Sequence, residues 1–300
     1  MTASSKSSIV TADSECRRPS IDVVTEPHIL VLTATGNVGR QLVRQLRAEG
    51  HRVKAATRDP RTATFPADVQ VVRADLSDPN TLRDRVADFD AVFLLWPLHS
   101  GEQFAEAVGV ISERARRLVF LGTGGVPDLS REQQQEVVHG SGIESVVLQP
   151  SGFAVNTLWW ADQIRAGDIV RGIHGELPLM PLHEADMAAV ARHALLEPGH
   201  SGKTYTLTGP QVLTLSDQVR VIGEVLGRPL RWVENTRAEE AELLRANPNF
   251  PDSYIEVLLD GYAALLDEPR PTTTDTIERI IGRPARTLRD WVGDHIAEFR

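Results

Sequence analysis

The chain has 300 residues and carries a net charge of −9 at neutral pH, which excludes the basic face that non-specific nucleic-acid or anionic-membrane binding requires. Its single cysteine, Cys16, excludes an intramolecular disulfide and a cysteine-based zinc site. No run approaches the roughly 18 apolar residues of a membrane-spanning helix, and the expectation is a cytosolic globular protein without a metal.

Residues 1–27 are polar and broken by prolines, and read as a mostly disordered leader. From His28 the chain alternates. Ile29 to Leu32 is a short apolar run that suits a buried parallel strand. Val38, Leu42, Val43 and Leu46 fall on one helical face, and Gly50 supplies a stop. Val53–Thr57 and Val69–Arg73 read as the second and third strands, followed by a capped helix in "LSDPNTLRDRV". "AVFLLW" at 91–96 is the fourth strand, "SGEQFAEAVGVISERA" a helix, "RLVFLG" at 117–122 the fifth strand and "ESVVLQP" at 144–150 the sixth. Parallel neighbours need crossovers, so strands set apart by helix-length segments predict an α/β fold of the Rossmann type, a doubly wound parallel sheet.

Beyond residue 150 the alternation loosens. "FAVNTLWWADQIRAG" and "HEADMAAVARHALLE" read as helices, "KTYTLTGP" as a strand and "TLSDQVRVIGEVLG" as a capped helix, with mostly helical sequence after it. The expected division is a nucleotide-binding core over 28–155 and a smaller, mostly helical lobe over 156–300, some of whose segments return to the core. Open α/β sheets bind ligands at the carboxyl ends of their strands, so a cleft is expected between the two.

The first strand runs into "TATGNVG", which sets Gly36 and Gly39 three residues apart ahead of a helix. Glycines there let the backbone turn tightly against a pyrophosphate, which the helix amino terminus then binds through free N–H groups. Asn37 suits a helix start. Thr33 stands where a first glycine is usual. If its φ is negative its presence costs little and its hydroxyl can reach a phosphate; a positive φ would strain it and weaken binding.

Arg58 ends the second strand, where an acid would read the ribose hydroxyls of NAD and an arginine suits the 2′-phosphate of NADP. The alternative is a solvated charge. Asp59 reads as a turn residue before Pro60. Asp75, at the end of the third strand, is placed to accept from the adenine amino group, while Ser77 or Asp78 reads separately as a cap of the helix that follows.

Together, "TATGNVGRQLV", "AATRDP", "VVRADLSD", "AVFLLWP", "GSGIESVVLQPSGFAVNTL", "HEADMAAVARHAL", "GKTYTLTGPQVLTLSDQVRVIGEVLGR" and "GRPARTLRDWV" resemble the NmrA-like, atypical short-chain dehydrogenase/reductase family of NAD(P)-binding proteins, from about residue 28 nearly to the end. The resemblance implies that Thr33, Thr35, Gly36, Asn37, Val38 and Gly39 hold the pyrophosphate and Arg58 the 2′-phosphate. It implies further that Asp75 and Leu76 frame adenine, that Leu95, Trp96 and Pro97 line the ribose, and that Gly122, Thr123, Gly124 and the segment from Pro150 to Phe153 approach the nicotinamide. Asn156 matches the family's F-x-x-N segment. Thr33 departs from the pattern, and so does "FLGTGG", where a serine-containing segment often ends the fifth strand. A homodimer is implied by the resemblance alone.

The usual short-chain reductase dyad needs a tyrosine with a lysine four residues later. None of Tyr205, Tyr254 and Tyr262 has one. Hydride transfer to a quinone or conjugated enone does not require that dyad, because the nicotinamide carries the electrons. Trp96, His99, Phe153, Asn156, Trp159 and Trp160 are the candidate cleft residues, with His183 a more distant one; His183 and Asp186 start a helix in the family's H-x-x-D position, where capping and packing are favoured over catalysis. His99 is a candidate proton donor or else a solvated loop histidine, and the tryptophans are helix core if not a substrate platform. The leading expectation is an NADP(H)-dependent oxidoreductase acting on a small aromatic, quinone-like or enone substrate, with NAD(H) less favoured. A non-redox isomerase or cyclase and a non-catalytic NADP-sensing regulator stand as its rivals.

Overall fold

The computed structural model describes Met1 and residues 27–83, 89–122, 124, 126, 128–246 and 252–300. Nearly all of the expected leader, the end of the helix read at 76–86, and Thr123 lie outside the described residues.

Strands β1 (Ile29–Val31), β2 (Val53–Thr57), β3 (Gln70–Arg73), β4 (Ala91–Leu95), β5 (Arg117–Leu121) and β6 (Glu144–Pro150) are interleaved with helices α1 (Asn37–Ala48), α2 (Asn80–Arg83), α3 (Phe104–Ser112) and α4 (Arg131–His139). After β6 come a 3-10 turn at Ala154–Trp160, α5 (Ala161–Ala166), β7 (Ile169–Gly172), β8 (Pro178–Leu179), α6 (Glu184–Leu196) and β9 (Lys203–Leu207). Next are β10 (Leu213–Thr214), α7 (Leu215–Leu226), β11 (Arg231–Glu234), α8 (Arg237–Arg245), α9 (Asp252–Leu266), α10 (Thr276–Ile281) and α11 (Leu288–Asp294).

Seven strands form one parallel sheet in the order β3-β2-β1-β4-β5-β6-β9. The strand order reverses at β1, where β2 lies on one side and β4 on the other. This is the place at which such sheets open a ligand crevice. The continuous apolar run of β1 follows from burial on both faces. Ile29 and Val31 enter one core with Leu42 and Leu46 of α1 and Val190 of α6, while Leu30 and Leu32 enter the other with Phe104 of α3.

Two segments beyond residue 155 lie in the core. β9 pairs with β6, with Leu148 opposite Tyr205, and α6 packs on the same face as α1. Asp186 of α6 is wholly buried and accepts from Arg283 (2.6 Å), the Arg286 backbone N–H (2.6 Å) and the Arg286 guanidinium, which ties the chain after α10 to the core. What remains as the lobe holds two further cores. One gathers Ile164, Val170, Ile222 and Trp291, and the other Ile173, Leu244, Ile255 and Leu259. The segment read as one helix from Phe153 is a 3-10 turn followed by the short α5.

Candidate active site

The turn after β1 decides the site. Thr33 sits at φ +54°, in the left-handed region, so the position calls for glycine and a β-branched residue fills it under strain. Its hydroxyl donates to the Leu32 carbonyl at 2.6 Å, which commits it to the turn. Gly36 donates its N–H to the Thr33 carbonyl at 3.0 Å and stands as the N-cap of α1. No side chain caps that helix, and no acid lies in its first turn. The first N–H with a helical acceptor is that of Arg40, to Gly36. The amide groups of Asn37, Val38 and Gly39 are therefore left for an anion. Val38 turns its side chain into the core, so only its backbone faces outward. Gly39 lets α1 approach the turn, since a Cβ there would lie 2.4 Å from the Thr33 carbonyl oxygen.

Beside the turn, a cavity of about 200 Å³ is lined by Thr33, Thr35, Gly36, Arg58, Asp75 and Leu76, with Leu32, Thr57, Ala74, Pro97 and Leu98. Arg58 is exposed at the end of β2 and makes no hydrogen bond or ion pair among the described residues. Asp59 instead caps the 3-10 turn Pro60–Thr62 and pairs with Arg61 at 2.9 Å. Asp75 accepts from Ser77 through both its backbone N–H (3.1 Å) and its hydroxyl (2.7 Å). The Ser77 hydroxyl holds the Asp75 carboxyl below the usual carboxylate range against the opposing effect of burial, with the backbone N–H and Arg58 adding to the shift.

The expectation for Trp96 is corrected. Its indole is buried, donates to the Ser100 carbonyl at 2.9 Å and meets Phe104 edge-on, so it belongs to the core behind β4. Pro97 and Leu98 face the cavity in its place, and Leu95 is half-buried against the opposite core. His183 takes the capping place that its position at a helix start favours. It is buried as the N-cap of α6, and its Nδ1 accepts from the Ala185 N–H at 3.1 Å.

The residues expected near a nicotinamide lie at the carboxyl ends of β5 and β6. Gly122 donates to the Leu148 carbonyl at 2.9 Å, and Gly124, at φ +125°, offers its carbonyl to Gln134. Ser151 is tied to the Leu207 and Met180 carbonyls, and Ala154 to that of Leu182, so the chain leaving β6 is held from both sides. A second cavity of about 220 Å³ opens there, walled by Pro150, Phe153, Asn156, Trp159, Trp160 and Tyr254. Asn156, Trp159 and Trp160 also line an open groove of about 710 Å³ that reaches Asn37 at the start of α1. Through this groove the aromatic pocket is joined to the first residue of α1. His99 is exposed and lines neither cavity, but its ring lies 5.0 Å from that of Tyr254.

Sequence reasoning missed the α9 wall, where Tyr254, Leu258, Tyr262 and Leu265 present one face to the pocket. Their spacing of four, four and three residues is a helical stripe, but a stripe does not say what it covers. It also missed Arg131 and Gln218. A separate cavity of about 430 Å³ by His28, Arg47 and Lys54 opens at the amino edge of the sheet, away from the crevice.

A parallel sheet whose first strand feeds a glycine turn and an uncapped helix start is a dinucleotide-binding α/β protein. The profile of the NAD(P)H-binding family matches residues 33–223, and the chain belongs to that family, within the NmrA-like atypical short-chain dehydrogenase/reductase group of oxidoreductases. It is 32% identical to a (4-alkanoyl-5-oxo-2,5-dihydrofuran-3-yl)methyl phosphate reductase of Streptomyces griseus, over 90% of this chain and 99% of that one. It is also 32% identical to an NAD(P)H azoreductase of Xenophilus azovorans, with the same shares covered. Among solved structures it is similar in fold to the NADPH complex of an NADPH-dependent quinone oxidoreductase from Escherichia coli. There the TM-score is 0.75 at 21% identity, covering 89% of this chain and 99% of that one.

The residues present fit such a cofactor. The uncapped α1 terminus, the close approach that Gly39 permits and the unpaired Arg58 guanidinium are the features a phosphorylated dinucleotide uses.

Proposed function

We propose that the chain is an NADPH-dependent reductase that delivers hydride to a planar aromatic, quinone-like or enone acceptor held in the pocket beyond β6. The observation that carries this reading is the pocket itself, a cavity walled by Phe153, Trp159, Trp160 and Tyr254 at the end of β6 and joined by an open groove to the start of α1. Arg58 supports NADPH over NADH, as a guanidinium binds a 2′-phosphate through paired hydrogen bonds. The two relatives at 32% identity are named for an oxo-dihydrofuran and for azo compounds, which agrees with conjugated acceptors.

A bound reduced nicotinamide supplies the hydride. The chain supplies a mostly apolar, aromatic wall, and packing against it orients a flat acceptor. Burial pushes the phenols of Tyr254 and Tyr262 up, Tyr262 being raised also by Tyr254 and Glu240, so both remain protonated donors at neutral pH. No lysine lies four residues beyond either, so the proton that completes the reduction comes from water or from a phenol unassisted by lysine.

The test is consumption of NADPH absorbance across a panel of quinones, enones and azo dyes. Turnover with a conjugated acceptor and none with simple alcohols or ketones supports the reading. NADPH binding with no turnover on any acceptor defeats it.

A further inference from the structure

The aromatic pocket contains one formal charge. Of the described side chains that line it, Arg131 alone is ionised at neutral pH, and no aspartate or glutamate shares the wall. This is notable in a chain that carries 41 acids against 32 lysines and arginines. Arg131 is the first residue of α4, immediately after the N-cap Ser130, so the positive end of the helix reinforces its charge. Among the described residues its guanidinium forms no ion pair. Glu132 is the nearest acid in sequence; its carboxylate accepts from the Ser130 hydroxyl at 2.9 Å and does not line the pocket. Arg131 is exposed, yet it lines the same cavity as Phe153, Trp159 and Trp160, and a pocket meant for a wholly neutral ring gains nothing from a charge at its rim.

We propose that Arg131 is a specificity residue that anchors an anionic substituent, a carboxylate, sulfonate or phosphate, on the aromatic or conjugated substrate. The ring system lies against Phe153 and Trp159–Trp160, and the acidic group lies at the α4 end of the pocket. This deepens the reductase reading and rests on it for turnover, but the binding claim stands on the pocket alone. Gln218 and Ser151 supply neutral polar groups on the same wall, so the acid is met by one full charge and by dipoles.

The test uses a matched pair, 1,4-naphthoquinone-2-sulfonate and 2-methyl-1,4-naphthoquinone, with the full chain, Arg131→Gln and Arg131→Lys. Binding without NADPH is read from quenching of tryptophan fluorescence, to which Trp159 and Trp160 in the pocket wall contribute, and turnover is read separately with NADPH. The wild type is expected to bind the sulfonate about 10-fold or more tightly than the neutral quinone. Arg131→Gln is expected to erase that preference while moving the neutral quinone less than about 3-fold, and Arg131→Lys to keep part of it. The preference is expected to shrink as salt is raised. Equal wild-type affinities, an equal loss for both quinones, or a selective loss of NADPH affinity in Arg131→Gln would overturn the proposal. If neither quinone is turned over yet the Arg131-dependent preference in quenching persists, the anchor stands and the redox reading fails.

Discussion

A methyl group on Gly39 would lie 2.4 Å from the carbonyl oxygen of Thr33 and 2.9 Å from the Cα of Ala34. Both obstacles are backbone, and neither can swing aside as a side-chain tip would. The start of α1 and the turn after β1 are fixed against each other at that point, and the amide groups offered to a diphosphate depend on the distance between them.

Gly39→Ala is therefore expected to push the helix off the turn. Overpacking of this kind costs roughly 1–3 kcal/mol, which corresponds to a fall in Tm of several degrees. NADPH affinity should fall by at least about 10-fold because the displaced amides no longer converge. Thermal unfolding and a fluorescence titration with NADPH check both, and a variant that matched the wild type in each would show that the contact does not set the cradle.

Thr33 makes the opposite case. A left-handed backbone costs a non-glycine residue about 1–2 kcal/mol, and glycine escapes that while losing more chain entropy on folding. The Thr33 hydroxyl contributes only its bond to the Leu32 carbonyl. Thr33→Gly is expected to leave stability within about 1 kcal/mol of the wild type and to tighten NADPH several-fold, since the side chain also lines the cofactor cavity. Weaker NADPH binding in this variant would mean that the threonine is used, not tolerated.

Arg58→Ala tests the choice between coenzymes. It should lower kcat/KM for NADPH by about 10-fold or more and leave that for NADH nearly unchanged, if Arg58 binds the 2′-phosphate that NADPH alone carries. Asp75 cannot take over, since it carries the wrong charge and accepts two hydrogen bonds from Ser77. Steady-state kinetics with each coenzyme decide the matter, and an equal loss for both would assign Arg58 to folding.

Much of this was legible because buried parallel strands and amphipathic helices write their burial directly into residue order. Ile29–Leu32 could be placed as a two-sided strand, and Arg58 and Asp75 at strand ends, from spacing alone. Trp96 was misplaced because a residue just past a strand turns to either face, and what drew it inward, Phe104 and the Ser100 carbonyl, lies on the next segment. α4 was overlooked because "REQQQEVVH" buries only Gln134 and Val138 and so has almost no apolar stripe, although its Ser130–Gln133 capping box was readable. That omission also hid Arg131. The strand at Lys203–Leu207 was seen, but its pairing with β6 joins residues more than 50 positions apart, and no local pattern encodes that.

The buried cluster at the start of α6 gives a pH dependence whose sign can be worked out. Glu184 accepts from the Trp291 indole at 2.7 Å and lies 3.0 Å from Nε2 of His295, whose ring stacks on Trp291 with centroids 4.2 Å apart. His183 also adjoins Glu184, but its Nδ1 is committed to the Ala185 N–H, so His295 is the imidazole free to donate. The hydrogen bond to Glu184 raises the pKa of His295 above its ordinary 6.5 against the effect of burial, with Asp294 adding to the shift. A histidine raised in the folded state stabilises most below its unfolded pKa, and that contribution is lost as pH rises through the folded value. His139 and His200, lowered by burial, act in the opposite sense, so the overall pH profile mixes the two signs. The difference between wild type and His295→Gln isolates one of them, because His139 and His200 are common to both proteins. The wild type's advantage in Tm over His295→Gln should be full near pH 6 and shrink as pH is raised past about 6.5 toward 8. An advantage that stayed constant across that range would mean that His295 packs on Trp291 as a neutral ring and lends no charge to Glu184.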